Sequence, residues 1–226
     1  EINTPAWVFG LPAGLISYIG LLLFVMILRE GTASINAPIF RLSFVVTAAG
    51  AIIFLGESVS LPKVVGILLA IVAVFFLADL RALNTAHNAR FRSMYLLLPG
   101  MILFGIAGVL NAEATNQGSK TIPLIMTGTI SFGGAAFVHM LATRQVRPDG
   151  TTVRLAPFVG LLQLAWAGLL IQSLQTGDAS ISFPIAQLSF VATAILAVVF
   201  LKEATGKRLV LGLSTATFSV MVFAFA

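Results

Sequence analysis

A chain of 226 residues that is 58% hydrophobic and only 9% charged cannot cover a soluble surface, which normally needs about 25% charged residues. The net charge is +5, yet the basic residues fall in short stretches between apolar runs and form no stripe along a helix. They read as loop charges that orient a protein in a bilayer, and no nucleic-acid partner is expected.

Eight apolar runs approach the roughly 20 residues needed to cross a bilayer core: 7–28, 33–55, 62–78, 94–112, 122–142, 155–175, 180–201 and 208–226. They do not alternate in polarity, so a barrel is a poor fit. The expected fold is an all-α, polytopic bundle of eight transmembrane helices in the lipid bilayer. Glu1 opens the chain without a methionine, a basic leader or a small-residue cleavage site. The first run is therefore read as a membrane helix, and the chain as lacking its natural N-terminus. With no cysteine, the chain has no disulfide, thiol catalysis or cysteine metal site.

The second run carries Asn36, Ser43 and Thr47, whose spacings return to one helix face at about 100° per residue. Arg41 falls about 120–160° off that face on the same wheel. Placed near one end of the run, it is expected to snorkel to the interface; the alternative is that it binds an anionic group. Glu57 follows in a short turn and is expected to face the N-terminal dipole of the next helix. The third run holds Gly66 and Ala70, a small-residue pair for close packing. In the fourth, Pro99-Gly100 is a candidate kink or hinge. Asn111 and Glu113 lie at its end, with Glu113 a candidate proton-coupling acid or a solvated interfacial one. The fifth carries Gly133-Gly134, a second candidate hinge, and His139. His139 is a candidate proton relay, although a hydrogen bond to a neighbouring helix is the favoured reading.

The sixth run places Gln163, Trp166 and Gln172 within one broad face, suited to a cavity for a polar or zwitterionic solute. The seventh carries Ser182, Gln187, Ser189 and Thr193, and the eighth carries Gly212 and Ala216. The serine and threonine stripes of the second and seventh runs are candidate walls of a substrate path. Helix packing is the competing reading for them.

The strongest feature is an internal repeat at an offset of 146 residues. It carries the first three runs onto the last three without a gap. Gly31-Thr32-Ala33-Ser34-Ile35-Asn36-Ala37-Pro38-Ile39 matches Gly177-Asp178-Ala179-Ser180-Ile181-Ser182-Phe183-Pro184-Ile185, and Arg41 matches Gln187. Between residues 31 and 57, 16 of 27 positions are identical. The matched helices are five apart, an odd number, so the two copies cross the membrane in opposite senses. Such inverted repeats serve alternating access in secondary transporters. Ten Lys and Arg residues lie on the side of the connection at Arg29, against Lys63 and Lys120 on the other. That bias places the crowded side in the cytoplasm and both chain ends outside.

Pro38, Gly56-Glu57 and Gly66, with Pro184, Lys202-Glu203 and Gly212, resemble the end of an EamA-type repeat of the drug/metabolite transporter superfamily. The resemblance implies five helices per repeat. Residues 1–80 would then be a first repeat reduced to three helices, and 94–226 a complete second one. The family's usual orientation, with both termini cytoplasmic, is the reverse of the charge bias. The resemblance further implies a multi-pass inner-membrane carrier, most simply an exporter, for small metabolites, amino acids or drugs. No cofactor is implied, and a homodimer is compatible with it. No H-E-x-x-H, G-x-S-x-G or P-loop pattern occurs, so an enzyme is not expected. The competing reading is a membrane scaffold that uses the fold without transport.

Overall fold

A computed structural model describes residues 4–30, 33–77, 87–143, 150–189 and 207–226. These residues form helices: α1 (Thr4–Glu30), α2 (Ala33–Arg41), α3 (Ser43–Phe54), α4 (Leu61–Leu77), α5 (His87–Asn116), α6 (Thr121–Thr143), α7 (Gly150–Leu174), α8 (Ala179–Gln187) and α9 (Lys207–Phe223). Thr4–Arg29, Tyr95–Asn116, Thr121–Thr143 and Gly150–Leu174 are long and apolar enough to cross a membrane. The chain is a polytopic helical membrane protein. Thr193 and Glu203 lie outside the described residues.

The helix boundaries obey the repeat. α8 begins and ends at the repeat positions of α2, and α9 at those of α4. The second run is one span in two pieces, because Leu42 forms a tight turn. Its N–H donates to the Ile39 carbonyl at 3.0 Å, and its own carbonyl accepts from Val45 N–H at 2.9 Å. These three-residue bonds replace the four-residue bonds of an α-helix. Leu188, the repeat mate of Leu42, breaks α8 in the same way. Its N–H is shared between the carbonyls of Pro184 and Ile185, both at 3.1 Å.

The two copies run antiparallel where they meet. Gly66, early in α4, lies against the end of α9: its carbonyl accepts from Ser219 Oγ at 2.8 Å. A Cβ added at Gly66 would sit 2.7 Å from the Phe223 ring. Ala70 and Ala216 are fully buried in the same core. The small residues thus seal the two repeats to each other within one chain.

A second seam joins α1 to α5 and α6. A Cβ at Gly14 would fall 2.2 Å from the Gly128 carbonyl oxygen, and one at Gly20 would fall 2.9 Å from that of Gly100. Thr127 Oγ1 donates to the Ala6 carbonyl at 2.8 Å and Ser131 Oγ to that of Leu11 at 2.7 Å. Hydroxyl-to-carbonyl bonds between closely packed helices are the polar glue of membrane bundles. Both candidate hinge positions lie inside these helices. α5 runs unbroken through Pro99-Gly100, and Gly100 serves the close approach to α1. α6 is likewise continuous through Gly133-Gly134.

Candidate functional site

Arg41 closes α2 and Gln187 closes α8. Arg41 Nη1 donates to Gln187 Oε1 at 2.9 Å and to Ser189 Oγ at 3.5 Å. The first pair is separated by 146 residues, the repeat offset itself. Two symmetry-related residues can touch only beside the symmetry axis. In an inverted repeat that axis lies in the membrane plane, midway between the faces. The guanidinium of Arg41 is therefore engaged by its own repeat mate, beside the axis that relates the two halves. It also touches Ser189, a member of the opposite stripe. The Leu42 turn separates Arg41, the last residue of α2, from Ser43, the first of α3.

The neighbours of Arg41 in the chain are buried. Asn36 is 6% exposed and Ser43 is 1% exposed. Among the described residues, Asn36 Nδ2 and Ser43 Oγ are the buried side-chain polar atoms that lack a hydrogen-bond partner. An idle buried donor costs about 1–3 kcal/mol, so such groups call for an explanation. Thr47 differs from them. Its hydroxyl donates to the Gly105 carbonyl at 2.9 Å, which ties α3 to α5.

On the α8 side a cavity of about 820 Å³ opens between α7, α8 and α9. Trp166, Ser182 and Ser189 line it, joined by Ser173 and Thr217, which the sequence reading did not single out. Ser173 follows Trp166 by seven residues, so the face argument applied to Gln163 would also have found it. Gln163 itself is exposed and lies outside the lining. Gln172 accepts a hydrogen bond from Thr121 Oγ1 at 3.2 Å. The expected trio is thus divided, and Trp166 alone faces the cavity.

The proton-coupling candidates have local partners. His139 Nδ1 shares a hydrogen bond with the Tyr18 hydroxyl of α1, and Tyr18 also packs edge-on against Phe132. Glu113 accepts from Gln117 Nε2 at 2.6 Å, and Asn111 Nδ2 donates to the Ala107 carbonyl at 3.0 Å.

A network at one end of the bundle binds the repeats together. Glu57 turns away from α4, the helix that follows it, and caps α8 of the other repeat. Oε1 accepts from Ala179 N–H at 2.7 Å, and Oε2 accepts from Ser180 N–H at 3.0 Å and from the Ser180 hydroxyl. Gly56, at φ +72°, supplies the left-handed residue that lets the chain make this turn. Beside it, the buried Lys63 ammonium pairs with Asp178 and donates to the Ser58 carbonyl at 2.8 Å. The repeat mates of Asp178 and Lys63 are Thr32 and Leu209, which cannot form an ion pair.

No curated protein matches the chain. A solved crystal structure of a protein matches over 99% of this chain and 76% of its own, with a TM-score of 0.78 at 16% identity, which shows a shared fold. The sequence pattern of the EamA-like transporter family matches residues 1–78 and 91–225. With that match spanning nearly all of its length, the chain belongs to the EamA-like transporter family.

Proposed function

We propose that the protein is a secondary carrier that moves a small solute by alternating access, outward across the cell's inner membrane. The observation that supports it is the Arg41–Gln187 contact between repeat mates. A group on the two-fold is equally far from both faces, so it can serve a solute in either state. The antiparallel repeats supply the two arrangements to be exchanged. The buried, unpartnered Asn36 and Ser43 add hydrogen-bonding capacity beside Arg41 in the chain. Outward direction follows from the family resemblance.

Counterflow in liposomes tests this reading. Vesicles preloaded with each solute of a metabolite, amino-acid and drug panel are expected to accelerate uptake of the labelled form of at least one. Exchange of none would favour a scaffold. Ser43→Ala refines the test. Removing an idle buried hydroxyl is expected to leave stability unchanged, or to raise it by about 1 kcal/mol. Exchange should nevertheless slow severalfold. Unaltered exchange would remove Ser43 from the path.

A further inference from the structure

We infer that the site at the two-fold holds the carboxylate of a monoanionic solute, whose apolar body lies in the α7–α9 cavity. The inference rests on the carrier reading and names its substrate class. Three observations lead to it.

The first is an uncompensated charge. The Arg41 guanidinium lies beside the two-fold, and its partners among the described residues are neutral: Gln187 Oε1 and Ser189 Oγ. The ion pair among the described residues is Lys63–Asp178, at the end of the bundle. A lone positive charge at membrane depth is costly, and an incoming anion relieves that cost. Guanidinium presents a planar fork of donors matched to a carboxylate. The bonds to Gln187 and Ser189 both use Nη1, which leaves the other nitrogens for a ligand.

The second is connection. Ser189, which accepts from Arg41, is also part of the cavity wall. The cationic head and the cavity are therefore adjacent parts of one site. At about 820 Å³ the cavity is of a size that holds a small organic molecule.

The third is the character of the wall. Trp166, Leu169, Ile185 and Val220 give it an apolar surface, relieved by hydroxyls such as those of Ser182 and Thr217. Among the described residues that line it, none is acidic. An ammonium group would find no counter-ion among them, which disfavours the zwitterionic solutes expected from Gln163, Trp166 and Gln172. Charge balance points the same way. One guanidinium with one monoanion makes a neutral complex beside an apolar wall, whereas a dianion would leave a net charge there.

The chain has two tryptophans. In a Trp7→Phe background, fluorescence reports on Trp166 alone. Titration of the purified protein with 4-phenylbutyrate is expected to give a saturable change. The uncharged 4-phenylbutyramide should bind about tenfold to a hundredfold more weakly, as loss of a charge-assisted hydrogen bond requires. The cation 4-phenylbutylamine should not saturate. Arg41→Gln should erase the preference of acid over amide, and Arg41→Lys should keep part of it.

Acid and amide binding within twofold of each other would overturn the inference, as would an acid preference that survives Arg41→Gln. The acid–amide comparison needs no Arg41 variant, so it stays decisive if that variant does not fold. Acid-selective binding without counterflow of any solute would overturn the carrier reading and leave the anion site standing. Counterflow without acid-selective binding would do the reverse.

Discussion

Glu57→Ala is expected to destabilise the protein by about 3 kcal/mol, the combined effect of a lost helix cap and lost charge-assisted hydrogen bonds. The first N–H groups of a helix have no partner within it. Asp178 stands at the N-cap of α8 but makes no side-chain capping bond. Its carboxylate is engaged by Lys63. The duty falls to Glu57, from the opposite repeat. Ala179 and Ser180 are 2% and 0% exposed, so water cannot replace the lost acceptor. Glu57→Gln retains one acceptor oxygen and should lose about half as much. Unfolding in detergent, followed by circular dichroism against temperature and denaturant, measures both. A loss below about 0.5 kcal/mol for Glu57→Ala would show that the cap is dispensable.

The second large effect is expected at Asp178. Lys63 is 2% exposed at its side chain, and Asp178 is 44% exposed. Removing the carboxylate leaves a buried ammonium with the Ser58 carbonyl as its remaining partner. Stranding one member of a buried pair costs about 3–5 kcal/mol. The exposure of Asp178 places Asp178→Ala at the lower end, about 3 kcal/mol. Replacing both residues, Lys63→Met with Asp178→Ala, removes the stranded charge and should restore most of the loss. The four proteins form a double-mutant cycle, and a coupling energy near zero would refute the pairing. The same network joins the repeats at the face that carries the α3–α4 connection. The repeat mates Thr32 and Leu209 offer no second ion pair at the other face. Breaking the bridge should therefore favour opening on one side only.

The sequence made much of the fold legible, because each span needs a long apolar run and because the repeat aligns polar residues as well as apolar ones. The shared boundaries of α2 with α8 and of α4 with α9 follow from that alignment. The site was legible in part. Arg41, Gln187 and Ser189 were identifiable as polar residues in apolar runs, but the contact of Arg41 with its own repeat mate was not. That contact joins residues 146 apart on separate helices, and the Leu42 turn interrupts what reads in the sequence as one straight helix. Glu57 was correctly read as facing a helix N-terminus. The helix was misassigned because proximity in sequence suggested α4, whereas the inverted packing brings α8 to it. Lys63–Asp178 joins residues 115 apart with no counterpart in the repeat, so no local pattern could announce it.

The contact between Arg41 and Gln187 also limits what a simpler ancestor could have carried. Two separate copies of one half, paired about a two-fold, would place the same residue on both sides of it. Glutamine suits that arrangement, since its amide both donates and accepts. Arginine does not, because two guanidinium groups would repel each other at the membrane centre and neither could accept. A single positive charge on the axis is available only to a chain in which the two halves are fused and free to differ.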